Sequence, residues 1–141
     1  MLGLLDRLTG RRPITKVLLV DDEEIARYLV RQLLPRSRYD LVAVASGKDG
    51  LRRMQQDRPD VVVLDINMPE MTGVEFLEQV QDDPAYPALP FIILTSAILG
   101  PNERTLLHRA ACIISKSDLS SDTLADAIDD VLRQPHPMVE Q

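Results

Sequence analysis

Five short, largely apolar runs at residues 16–20, 39–44, 60–64, 90–94 and 111–114 alternate with stretches of helical period, and this alternation constrains the fold more than any other feature. Runs of that length are strand-sized, and strands alternating with helices build βα units around a parallel sheet. The first, third and fourth runs are apolar nearly throughout, as befits strands covered on both faces. The second alternates more and is expected at an edge. Right-handed crossovers then predict a doubly wound α/β domain with five parallel strands in the order 2-1-3-4-5. At 141 residues the chain suits one such domain, placed at 16–134 behind a leader or linker at 1–15 and ahead of a tail at 135–141.

The intervening segments carry helix signals. The first helix is expected to bury the stripe Ile25, Leu29 and Leu33, with Ala26 and Val30 beside it, and to close at Pro35. Ser46 suits the cap of a second helix burying Leu51 and Met54. Thr72 suits the cap of a third, with Val74, Leu77 and Val80 facing inward. A fourth is expected to open at Pro101, where proline loses no hydrogen bond, with Leu106 and Ala110 on one face. The fifth, from a Ser120 or Ser121 cap, carries Leu124, Ile128, Val131 and Leu132.

Charge and composition narrow the function. A formal net charge of −6 opposes attraction to nucleic acid phosphates, and no zinc-finger or helix-turn-helix pattern remains. No apolar run approaches the roughly 18 residues needed to cross a bilayer. With Cys112 as the single cysteine there is no internal disulfide, which fits a reducing, cytoplasmic setting. The leader, with leucines at 2, 5 and 8 before Arg11-Arg12, reads as a linker, or alternatively as a short amphipathic element docking on a partner or a second copy of the chain. His108 and His136 read as surface and tail residues.

Chemistry-bearing residues gather where four of these strands end. Asp21 and Asp22 follow the first strand, Asp65 the third, Thr95 the fourth and Lys116 the fifth, all on the rim where ligands collect in an open α/β sheet. Three carboxylates brought together repel one another unless a cation relieves them, and hard oxygen ligands open to water suit Mg²⁺. A carboxylate in that setting can attack a phosphoryl group and become an aspartyl phosphate. Thr95 would then donate to one phosphoryl oxygen and Lys116 pair with another, contacts that exist only after phosphorylation and so can drive a switch.

The motifs Val20-Asp21-Asp22-Glu23, Leu64-Asp65-Ile66-Asn67-Met68-Pro69-Glu70-Met71-Thr72-Gly73, Leu94-Thr95-Ser96 and Ser115-Lys116-Ser117, in this order, resemble the receiver domain of two-component response regulators from Lys16 to about Arg133. The chain is also similar to receiver modules at the C-terminus of hybrid sensor kinases. The resemblance implies a CheY-like, flavodoxin-like fold and a phosphoryl group delivered to Asp65 by a histidine kinase or phosphotransfer protein. It implies Mg²⁺ held by Asp22, Asp65 and the Asn67 backbone carbonyl, with Asp21 acting through water, and Thr95 and Lys116 as switch and ion-pair residues. Pro69 and Gly73 shape the turn after the phosphoacceptor. Such a domain is a signalling module rather than a turnover enzyme, and its output is contact with a downstream protein or a second copy, for which Ile98, Leu99, Leu107 and Ile113 on the helix-four, strand-five, helix-five face are candidates.

Two positions depart from the family pattern. Ile113 stands where Tyr or Phe is usual, so the aromatic readout of the switch is not expected here. Ser117 follows the lysine where proline is common, and a cis bond would cost Ser117 roughly 2.5–4 kcal/mol. Asn67 and Ala97 occupy the positions that tune loss of the phosphate. Two other readings compete. A haloacid-dehalogenase-like enzyme would need an acid where Asn67 stands, and a degenerate receiver would bind partners without phosphate chemistry.

Overall fold

The structure is a computed structural model and describes residues 14–96, 101 and 110–133. The leader at 1–13, most of the expected fourth helix with Leu106, Leu107 and His108, the residues Ala97, Ile98 and Leu99, and the tail with His136 lie outside the described residues.

Five strands form one parallel sheet: β1 (Thr15–Val20), β2 (Tyr39–Val44), β3 (Val61–Asp65), β4 (Phe91–Thr95) and β5 (Cys112–Ser115), in the order β2-β1-β3-β4-β5. That is the expected order, and β2 lies at an edge as its weaker apolar pattern suggests. The last three strands each start and end one residue later than the hydrophobic runs alone indicate. Asp65, Thr95 and Ser115 therefore belong to the ladder as its final residues, which fixes their backbones directly.

Four helices accompany the sheet among the described residues: α1 (Glu24–Leu33), α2 (Gly47–Gln56), α3 (Gly73–Gln81) and α4 (Ser121–Arg133), the last being the fifth helix expected from sequence. Two capping expectations hold. Ser46 accepts from the Asp49 amide at 3.1 Å, and Thr72 and Glu75 form a reciprocal capping box. For α4 the choice falls on Ser120, whose hydroxyl accepts from the Thr123 amide at 3.1 Å.

The sheet separates two apolar clusters. One packs Leu18, Val20, Val62, Leu64 and Ile93 against Met54 of α2 and Phe76, Leu77 and Val80 of α3. The other packs Val17, Leu19, Val63, Ile92 and Leu94 against Val30 of α1 and Leu124, Ile128 and Val131 of α4. Both faces of β1, β3 and β4 are thus covered, which is why those strands are apolar without alternation.

The expected burial fails in two helices. In α1, Ile25 is 83 % exposed and Leu29 41 % exposed, while Val30 and Leu34 are the buried pair. The helix presents the stripe one residue on from the expected one, and Leu34, just past its end, completes it. In α4, Leu132 is 40 % exposed while Leu124, Ile128 and Val131 are buried as expected. Phe76 is a core residue that the α3 pattern does not single out. It is fully buried, meets Phe91 edge-on with ring centroids 6.2 Å apart, and fills space left by Gly50, where a Cβ would stand 3.0 Å from its ring.

Candidate functional site

The strand register assembles the rim. β1 and β3 pair Val20 with Leu64, so Asp21 and Asp65 each stand one residue beyond that rung. Asp65 pairs with Leu94, which puts Thr95 one step further, and Thr95 pairs with Ser115, which puts Lys116 just past the end of β5. Residues distant in sequence thereby converge at the carboxyl ends of four central and edge strands, the place where open α/β sheets hold ligands.

Asp21 is fully buried. Its Oδ1 accepts from the Glu23 amide at 2.9 Å, and its Oδ2 forms an ion pair with Lys116 Nζ at 3.0 Å. The Asp21 carbonyl accepts from the Arg27 guanidinium at 2.8 Å, so α1 ties down the end of β1. Asp65 is 4 % exposed, and its Oδ1 accepts from the Asn67 amide at 3.4 Å. Thr95 is also buried, whereas Asn67 is exposed on the loop beyond β3.

One carboxylate oxygen from each of Asp21, Asp22 and Asp65 lies within 4.8 Å of the other two. Asp21 Oδ2 and Asp22 Oδ1 are shielded from solvent and accept no hydrogen bond. Anionic oxygens that converge in this way, with Lys116 as the cation paired with Asp21 Oδ2, suit a hard divalent ion that would offset their mutual repulsion. The donor set therefore fits a divalent ion.

Electrostatics agree with that fit. Burial and then the neighbouring Asp21 push the Asp65 carboxyl up to about 6, with Asp22 adding to the rise and Lys116 and the Asn67 amide opposing it. Burial alone would lower the Lys116 ammonium, yet Glu23, Asp21 and Asp65 together raise it, so it stays charged. Its Nζ stands 2.6 Å from Glu23 Oε1 and 3.7 Å from Asp65 Oδ1. In turn Lys116 holds the Glu23 carboxyl below its ordinary value. Glu23 and Arg27 are site residues to which sequence reasoning assigns no role. The third consecutive acid after β1 is the sign that could have flagged Glu23.

Two backbone features hold the loop after Asp65. Gly73, first residue of α3, donates its amide to the Ile66 carbonyl at 2.8 Å, and a Cβ there would run into the Asp65 carbonyl oxygen and stand 2.6 Å from Ile66 Cα. Glu70 adopts the left-handed region at φ 66°, which carries the chain round the turn after Pro69. At the other side of the rim, Lys116–Asp118 forms a 3₁₀ turn, with Ser115 Oγ accepting from the Ser117 amide at 3.4 Å. No peptide bond among the described residues is cis, so Ser117 enters this turn in the ordinary trans form. Ile113 is 41 % exposed, on the opposite side of β5 from Cys112 and Ile114, which pack into the core.

Residues 17–129 match the family model of the response regulator receiver domain. The chain is 32% identical over 101 residues to the polar-differentiation response regulator DivK of Brucella anthropi, covering 71% of this chain and 82% of that protein. It is 30% identical over 125 residues to the transcriptional regulatory protein GlrR of Escherichia coli, covering 89% of this chain but 28% of GlrR. This chain thus spans a little over a quarter of that longer relative. Among solved structures it is similar to the chemotaxis protein CheY4 of Vibrio cholerae, with a TM-score of 0.76 and 30% identity over 84% of this chain and 99% of that one. No described helix is long and apolar enough to cross a membrane. With its sheet order, its rim of acids and its family match in agreement, the chain belongs to the receiver domains of two-component response regulators.

Proposed function

We propose that this receiver takes a phosphoryl group onto Asp65 from a phosphohistidine of a histidine kinase or phosphotransfer protein, and that the modified site changes the domain's protein contacts. The observation that carries the reading is the convergence of Asp21, Asp22 and Asp65 oxygens within 4.8 Å beside the Lys116 ammonium. A lone buried carboxylate would be a poor nucleophile at a phosphoryl dianion, because both are negative. A cation and an ammonium at the same rim remove that objection.

In this reading an Asp65 carboxylate oxygen attacks phosphorus as the P–N bond to the donor imidazole breaks, and the imidazole leaves with the bonding pair. Mg²⁺ when bound supplies charge neutralisation at the phosphoryl oxygens, and Asp21, Asp22, Asp65 and the Asn67 carbonyl are the groups that would hold it. Asp21 keeps its geometry through the Glu23 amide and the tie from Arg27. The Asn67 amide steadies Asp65 Oδ1. Lys116 pairs with one phosphoryl oxygen and the Thr95 hydroxyl donates to another, contacts that favour the phosphorylated state and can therefore shift a two-state equilibrium.

Asn67 carries no carboxyl and so offers no general acid for repeated turnover, which supports a single-turnover signalling module over a dehalogenase-like phosphatase. The expected setting is cytoplasmic. The downstream contact is with protein rather than nucleic acid, given the net charge of −6.

Beryllofluoride with Mg²⁺ mimics a phosphoryl group on a carboxylate and tests the reading. Calorimetric titration should give one site per chain in the parent and no binding in Asp65→Asn. Absence of binding in the parent would leave a degenerate receiver that contacts partners without phosphate chemistry.

A further inference from the structure

Glu23 follows the two acids of β1's end but is not among the oxygens converging with Asp65. Its side chain is 59 % exposed, and although it occupies the N-cap position of α1 it makes no side-chain capping hydrogen bond. What it does make is the shortest contact of the Lys116 ammonium, 2.6 Å, against 3.0 Å to Asp21 and 3.7 Å to Asp65. The Asp65 oxygen is beyond hydrogen-bond reach. Lys116 is thus drawn toward the outer edge of the rim and away from the carboxylate beside which it is proposed to act.

We propose that Glu23 is a positioning residue that competes with the phosphorylated Asp65 for Lys116, and so biases the domain toward its unphosphorylated state. The inference rests on the reading of Asp65 as phosphoacceptor. A phosphoryl group there would bring extra negative charge next to Nζ, and to meet it the ammonium must close the 3.7 Å gap and give up or lengthen its contact with Glu23. Asp21 is buried and tied to the Glu23 amide, so it moves little in that exchange. Glu23, exposed and at the start of α1, is the partner that can be released. Its backbone amide holds Asp21 while its carboxylate restrains Lys116, and replacing the side chain leaves the first of these contacts intact.

Because the pair is partly exposed, the bias is modest. Such pairs change an equilibrium by about two- to fivefold. Removing the carboxylate should therefore tighten a phosphoryl mimic by about that factor. It should not tighten Mg²⁺ alone, since freeing Lys116 to approach the acids adds positive charge where the cation binds.

The test compares parent, Glu23→Gln and Glu24→Gln, the last removing a neighbouring exposed charge in the same helical turn. Each is titrated with Mg²⁺ alone and with beryllofluoride in the presence of Mg²⁺. Glu23→Gln is expected to bind beryllofluoride about two- to fivefold more tightly than the parent, with Mg²⁺ affinity equal or weaker, and Glu24→Gln to match the parent in both. Equal or weaker beryllofluoride binding in Glu23→Gln, with a parent that binds, overturns the role of Glu23 alone. So does equal tightening in Glu24→Gln, which would make the effect one of general charge. A parent that does not bind beryllofluoride overturns the phosphoacceptor reading, and the role of Glu23 with it.

Discussion

Asp65 is held in the folded protein with its carboxyl pushed from 3.8 up to about 6, chiefly by burial and by Asp21. A carboxyl raised in this way is bound to its proton more tightly in the folded state than in the unfolded one. Its contribution to stability is therefore intact below about 3.8 and lost as pH rises through about 6. At neutral pH without metal, Asp65→Asn should be more stable than the parent by about 1–3 kcal/mol, and the difference should vanish below pH 4. Adding Mg²⁺ should narrow the gap, because an ion that binds only the folded parent stabilises it by mass action. Urea midpoints at three pH values with and without Mg²⁺ measure this, and a parent more stable than Asp65→Asn at neutral pH without metal would contradict the account. Gly73 sets the same residue's position from behind. Gly73→Ala would drive its new methyl against the Asp65 carbonyl and Ile66, so it should cost about 1–3 kcal/mol of stability and weaken beryllofluoride binding as well. If stability fell with binding unchanged, the close approach would matter to packing alone.

Among the elements, α1 shows where periodicity stops being informative. Its sequence holds two apolar stripes side by side, Ile25-Leu29-Leu33 and Ala26-Val30-Leu34, and a helical period alone does not say which meets the sheet. The choice is made by the β-sheet and α4, which bury Val30 and Leu34 and leave Ile25 and Leu29 outside. Val30→Ala should therefore cost about 1.5–3 kcal/mol, whereas Ile25→Ala should stay within about 0.5 kcal/mol. Thermal or urea unfolding of the two variants checks the contrast, and equal losses would mean the stripe is assigned wrongly. Phe76 escaped notice for a related reason, since its pocket depends on Gly50 of another helix and on Phe91 of β4. The caps at Ser46 and Thr72 were legible because their signals are local, a hydroxyl and an amide three residues apart. The site was legible for a third reason: strand ends fall at one rim in this topology, so Asp21, Asp22, Asp65, Thr95 and Lys116 could be brought together from sequence order alone. Glu23 was not, because its part depends on where one long side chain, that of Lys116, comes to rest.

At the scale of the whole fold, the sheet gathers the acids Asp21, Asp22 and Asp65 at one end of a two-sided core, and both clusters reach that end. Leu64 of one cluster precedes Asp65, and Leu94 of the other precedes Thr95. A change in charge at Asp65 would thereby act at the ends of two strands whose last apolar residues, Leu64 and Leu94, face opposite sides of the sheet, which would give a local modification a route to both outer faces. With Ile113 on β5, any such route would run without an aromatic ring at that position. The central claim is that Asp65 is the phosphoacceptor in a metal-dependent reaction. It is tested most directly by intact mass spectrometry after incubation with acetyl phosphate, with and without Mg²⁺, in parent and Asp65→Asn. The account predicts one phosphoryl group per chain in the parent with Mg²⁺, little or none when the metal is chelated, and none in Asp65→Asn. Equal labelling of parent and Asp65→Asn, or no labelling of the parent at all, would contradict it.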